Sequence, residues 1–278
     1  MTVVVSAAGP AGTEGAPARR RVVFVHVMKT GGLALSHRLR ELFDAERTFP
    51  RLDAHGVTAK SDVHALLAHR DRLDELDLVT VHMPAWVATD LLADRTKVVV
   101  LRDPVERTVS HLRHIARLYR DGRSLEELYD DPALHHRLVD HQARVLTLGP
   151  ASTPTPLDVA PDDPDELARL RAAALPFFAT ALPDVDASEP VDLDRALGVL
   201  GRFDVVGTTE RLQRVADRVA DLLGAPRRPL EVANAAGDDR SAPSSLRRRI
   251  EADCRVDREL HRAATALDEA DETAGAGR

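Results

Sequence analysis

Four short runs rich in β-branched residues constrain this chain more than anything else in it: residues 21–27 (RVVFVHV), 78–82 (LVTVH), 97–101 (KVVVL) and 203–207 (FDVVG). Within each run the apolar residues are nearly continuous, which is the pattern of a strand buried on both faces. Stretches of helical period separate the runs, and strands alternating with helices build a parallel sheet covered on both sides. The expected fold class is α/β, and 278 residues with 44% hydrophobic content suffice for one such domain with decorations.

The spacing predicts how the elements follow one another. After the first run, Leu35, Leu39, Leu42 and Phe43 recur at helical spacing, so the first strand feeds a helix through residues 28–32 (MKTGG). After the third run, Asp103 can cap a helix that has Pro104 at its first position and Glu106 at its third. Val105, Val109, Leu112, Ala116 and Tyr119 then mark its buried face. Residues 149–190 are rich in Pro, Asp and Ala and read as a loop-rich insertion with one helix near 165–175, a candidate lid on the acceptor side. Helices are expected over 191–201, 210–223 and, as one terminal element, 244–270. The domain is expected to run from 21 to 270, between a disordered tail (1–20) and a frayed end (271–278).

Charge and cysteine count narrow the function classes. A formal charge of −7 gives no global basic field, so nucleic acid is not an expected partner and any anionic ligand must be held locally. The single Cys254 excludes an internal disulfide and a cysteine-based zinc site, and reads as an ordinary helix residue. No run approaches the roughly 18 apolar residues that span a bilayer, so membrane insertion is not expected and a cytoplasmic location is.

Residues 23–32 (VFVHVMKTGG) end a strand on a lysine, a threonine and two glycines. A strand, a glycine pair and then a helix present free backbone N–H groups and the positive end of a helix dipole at one point, which suits a phosphate. Lysine occurs only at 29, 60 and 97, so the rest of the 38 basic residues are arginine and Lys29 is a rare choice. A compact ammonium suits charge developing on one bridging oxygen. The nucleoside-triphosphate pattern GxxxxGK[ST] does not fit, because Lys29 precedes the glycines. A second element lies in residues 98–115 (VVVLRDPVERTVSHLRHI). Ser110 falls seven positions after Asp103, about two helical turns, where its hydroxyl can point back toward the loop that carries Arg102.

Together these two elements resemble those of sulfotransferases that use 3′-phosphoadenosine 5′-phosphosulfate (PAPS), in the carbohydrate (uronyl 2-O-like) branch. The resemblance implies a single P-loop-like domain. It also implies that Lys29, Thr30, Gly31 and Gly32 hold the 5′-phosphosulfate, and that Arg102 and Ser110 clamp the 3′-phosphate. Further segments are similar to family segments: VTVHMPAW (79–86), DHQARVLTLG (140–149), FDVVGTTERL (203–212) and RVDRELHRAA (255–264). The first implies His82 as the base that deprotonates an acceptor hydroxyl, and its reference pKa of about 6.5 suits that task near neutrality. PAPS would be the co-substrate with no metal, and the acceptor a hydroxyl on a small molecule or glycan. The chain departs from the family pattern at Met28, Leu33, Ala34, Val81 and His261.

Alternatives stay open at this level. His26 is the second candidate base, and Trp86 either flanks the acceptor or packs in the core. Arg227, Arg228 and Arg240 are candidates for a further phosphate contact. His136, Asp140 and His141 share a helical stretch where a divalent metal can be imagined, although none is expected. An ATP-dependent small-molecule kinase with a divergent loop would need a magnesium carboxylate, for which Asp103 is the nearby choice. A nucleotide-binding module without catalysis is the third reading.

Overall fold

The computed structural model describes residues 20–51, 66, 70–118, 122–149, 190–231 and 241–276. The helix expected near 165–175, most of the 149–190 insertion, the tail 1–19, Lys60, Tyr119 and Arg240 lie outside the described residues. Five parallel strands form one sheet: β1 (Val22–Val25), β2 (Thr48–Phe49), β3 (Leu78–Val81), β4 (Thr96–Leu101) and β5 (Val205–Thr208), in the order β2-β3-β1-β4-β5. Each β-branched run supplies one of these strands. The two-residue β2 is the addition: it is too short to carry a pattern, and it forms because Thr48 and Phe49 pair with Leu78 and Val79.

Helices flank the sheet: α1 (Gly32–Arg40), α2 (Pro104–Leu118), α3 (Leu125–Asp130), α4 (Pro132–Leu138), α5 (His141–Thr147), α6 (Leu193–Leu200), α7 (Leu212–Leu223), α8 (Ser244–Asp253) and α9 (Arg255–Ala276). Side chains alternate across a strand, and here the alternation divides two cores. Val23 and Val25 pack with Val79, Val99, Leu260 and Ala264 on one face. Val22 and Phe24 pack with Leu35, Leu39, Val215 and Val219 on the other. A third cluster joins α2 to α8 through Val109, Leu112, Leu246 and Ile250. None of the described helices is long and apolar enough to cross a membrane.

Two helix ends differ from expectation. Residues 244–270 form two helices, broken at Cys254, whose backbone (φ −90°, ψ 57°) leaves the helical range. The break lets Asp257 turn toward α5, where its carboxylate accepts the N–H groups of Gln142 and Ala143 at 3.1 and 2.8 Å. At the other end, α9 continues to Ala276, past the point read as frayed. Arg211 and Arg214 pair with Glu272 and Arg218 pairs with Asp271, so ion pairs from around α7 hold the last turns. Glu106 stands at the third position of α2, as expected, and its carboxylate pairs with Arg247.

The contact between α7 and β5 is close enough to require glycine. A β-carbon at Gly207 would lie 2.2 Å from Val215 Cγ2. Gly207→Ala should therefore lower the unfolding free energy in urea by about 1–3 kcal/mol. The double variant Gly207→Ala/Val215→Ala should lose less than the sum of the two single variants.

Candidate active site

The sheet order places β1 between β3 and β4, so the chain crosses over β1 in passing from one to the other. In a parallel sheet such a reversal opens a crevice at the carboxyl ends of the strands, where ligands bind. Because all five strands run the same way, the loop after β1, His82 after β3, Arg102 after β4 and Thr209 after β5 meet at one edge.

The loop after β1 has a backbone shaped for an anion. Lys29 (φ 68°) and Gly31 (φ 77°) are both left-handed, and Lys29 is a rare non-glycine there. Gly31 caps α1 without any side-chain bond, and the first turn holds no acidic residue. The N–H groups of Gly31, Gly32 and Leu33 consequently donate to no described residue. A left-handed residue followed by a helical one turns successive N–H groups to the same side, making a concave anion seat. Gly32 is required by a neighbour: its β-carbon would fall 2.1 Å from His26 Cδ2. Thr30 acts within the loop. It is fully buried, its hydroxyl donates to the Val27 carbonyl at 2.9 Å, and its own carbonyl accepts from Thr209 Oγ1 at 2.9 Å.

Arg102 joins this loop directly, since its Nη1 donates to the Lys29 carbonyl at 3.1 Å. Asp103 does cap α2, with Oδ1 accepting the Glu106 N–H at 2.9 Å, so that carboxylate oxygen is already engaged. Ser110 lies two turns into α2, half-buried, and its hydroxyl bonds no described residue. His114 and Arg117 continue along the helix one and two turns beyond Ser110. The sequence reading singled out neither, because which side of α2 meets the lysine loop is decided by tertiary packing. Many arginines of this chain pair with carboxylates, as Arg21, Arg47, Arg202 and Arg214 do. The side chains of Lys29, Arg102 and Arg117 pair with none among the described residues.

His82 and His26 stand side by side, ring centroids 4.2 Å apart. His82 Nδ1 lies 2.6 Å from the His26 carbonyl, and since a carbonyl only accepts, Nδ1 carries the proton. In the neutral ring Nε2 is then the basic nitrogen. Burial, followed by the nearby His82 and Lys29, holds His26 well below the ordinary imidazole range. Burial and the guanidinium groups of Arg117 and Arg102 likewise lower Lys29.

Other sequence candidates have different places. Trp86 is half-buried against the core that contains Val81 and Val87. Arg227 forms a two-point pair with Asp221 (2.8 and 2.6 Å), and Arg228 is exposed. His136 Nδ1 donates to the Pro132 carbonyl, His141 Nδ1 to the Arg137 carbonyl, and Asp140 Oδ1 accepts the Asp257 N–H. No cluster of three or more potential metal ligands occurs among the described residues. Comparison with known families, with curated proteins and with solved structures returns no match.

Two outcomes follow. Glycine tolerates the left-handed backbone at position 29 and alanine does not, so Lys29→Gly should be more stable than Lys29→Ala by about 1 kcal/mol in chemical denaturation. For pH, His114 is pushed down from 6.5 to about 4 by partial burial and then by Lys29, Arg117 and His82. The folded chain therefore binds fewer protons than the unfolded one in that window, and stability falls as pH drops through it. His26 and His141 act in the same sense. Asp257, raised from 3.8 to about 6 by burial and Asp140, acts in the opposite sense between those values. Asp140, also raised by burial, acts in the same sense as Asp257, and three imidazoles against these two carboxyls should leave a net fall in melting temperature from pH 7 to 5 (about the upper part of the imidazole range), shallower in His114→Gln.

Proposed function

We propose that this protein transfers the sulfuryl group of 3′-phosphoadenosine 5′-phosphosulfate to a hydroxyl of a small-molecule or glycan acceptor, without a metal. The observation that carries the reading is the bond from Arg102 Nη1 to the Lys29 carbonyl (3.1 Å), which ties two anion-binding elements together at neighbouring strand ends. A nucleotide with anionic groups at both ends fits that pairing. The residues also suit the donor chemically, because the Gly31–Leu33 N–H groups and three cations without carboxylate partners among the described residues all want negative charge.

When bound, the donor supplies an activated sulfuryl group on a phosphate leaving group. Lys29 and the N–H groups of the loop orient its 5′ end, and Lys29 offsets the charge that builds on the bridging oxygen. Arg102 and Ser110 hold the 3′-phosphate. His82, with Nδ1–H fixed on the His26 carbonyl, directs Nε2 toward the acceptor and takes the hydroxyl proton. His26 supports that ring from beneath, and its lowered basicity makes it the weaker candidate for the proton.

A thermal-shift comparison separates this reading from the kinase. Adenosine 3′,5′-bisphosphate at a hundred times its dissociation constant should stabilise the protein by about 2.7 kcal/mol, whereas ATP with magnesium should do much less. The reverse ranking would exclude PAPS as donor. With a turnover assay in hand, Lys29→Ala should abolish transfer, and His82→Asn should abolish transfer while still binding the bisphosphate. Transfer that survives in both variants would remove the assigned roles.

A further inference from the structure

Arg102 sits one residue beyond the last paired residue of β4, where Leu101 faces Thr208 of β5. Its own N–H and C=O have therefore left the strand ladder, yet both are satisfied by a single side chain. The Arg102 N–H donates to Gln142 Oε1 at 2.9 Å, and Gln142 Nε2 donates to the Arg102 carbonyl at 2.9 Å. Gln142 is fully buried on the first turn of α5. A carboxamide is the side-chain group that offers one donor and one acceptor in a plane, so it reproduces one residue of a neighbouring strand.

Gln142 is itself held. Its backbone N–H and that of Ala143 donate to the two carboxylate oxygens of Asp257, at 3.1 and 2.8 Å. Asp257 in turn donates its N–H to Asp140 Oδ1 at 2.9 Å, so the residue before α5 and the first turn of α9 cap one another. Hydrogen bonds thus run unbroken from α9 through α5 to the backbone of Arg102, and from the Arg102 guanidinium to the Lys29 carbonyl.

We infer that Gln142 is a positioning residue for Arg102: by pinning both backbone groups of a residue outside the ladder, it fixes the direction in which the guanidinium leaves the strand. Asp257 fixes Gln142 in the same way. The inference rests on the proposed role of Arg102 at the 3′-phosphate and extends it, because selection of a 3′-phosphorylated nucleotide then depends on a side chain that never touches the nucleotide.

The test is the ratio of affinities for adenosine 3′,5′-bisphosphate and adenosine 5′-phosphate, measured by calorimetric titration of the full chain. Gln142→Met retains length and buried volume but neither polar group. It should reduce the ratio about tenfold while leaving adenosine 5′-phosphate binding within about twofold, the loss expected when one charge-assisted bond is misaimed. In an Arg102→Ala background the same substitution should have no further effect on the ratio, since it acts only through that guanidinium. If Gln142→Met does not fold, Gln142→Glu, which still accepts the Arg102 N–H, is read in its place. An unchanged ratio in a folded variant, or equal losses with and without Arg102, overturns the positioning role alone. A wild-type chain that does not prefer the bisphosphate overturns the proposed donor and this inference together.

Discussion

Everything at the candidate site depends on β1 being paired in parallel on both sides, with β3 through Val22–Leu78 to Val25–Val81 and with β4 through Val22–Thr96 to Val25–Val99. Parallel pairing sends the three carboxyl ends to one place, and the registers set His26 level with His82, with Arg102 two residues further along its own strand. The two cores hold this arrangement from both faces, so none of the three strands can slide by one residue without exchanging the environments of its side chains. A rigid floor of this kind lets loops carry chemistry.

Charge is distributed with the same logic. The chain is acidic overall, and many of its guanidinium groups are neutralised locally by carboxylates, often across helices, as Arg211 and Arg214 are by α9. Surface pairs of that kind add little stability each. At the crevice, Lys29, Arg102 and Arg117 have no carboxylate partner among the described residues. Lys29 and His114 both lose basicity, first through burial and then through neighbouring cations, and an anion entering the crevice would relieve the second part.

Strands β1, β3, β4 and β5, α1 and the start of α2 were legible in the sequence because burial on two faces demands continuous β-branched runs, and because Asp103-Pro104 is a local stop-and-start signal. The lysine loop and Arg102 were legible as short patterns. What escaped had no local signature. Strand β2 exists only through its pairing, and the break at Cys254 involves neither glycine nor proline. The side of α2 that carries His114 and Arg117 toward the lysine loop depends on where α3 and α8 pack. Gln142 belonged to a recognisable segment, but its two bonds to the Arg102 backbone exist only because Arg102 overruns the ladder.

The His26 ring occupies the space that a β-carbon at Gly32 would take. Positions 26 and 32 therefore share one volume and cannot drift independently over evolutionary time. Any descendant that enlarges the second must first shrink the first, and in doing so it surrenders the platform on which His82 rests. The glycine is in that sense inherited together with the histidine pair, and its persistence in a lineage would trace the persistence of that packing.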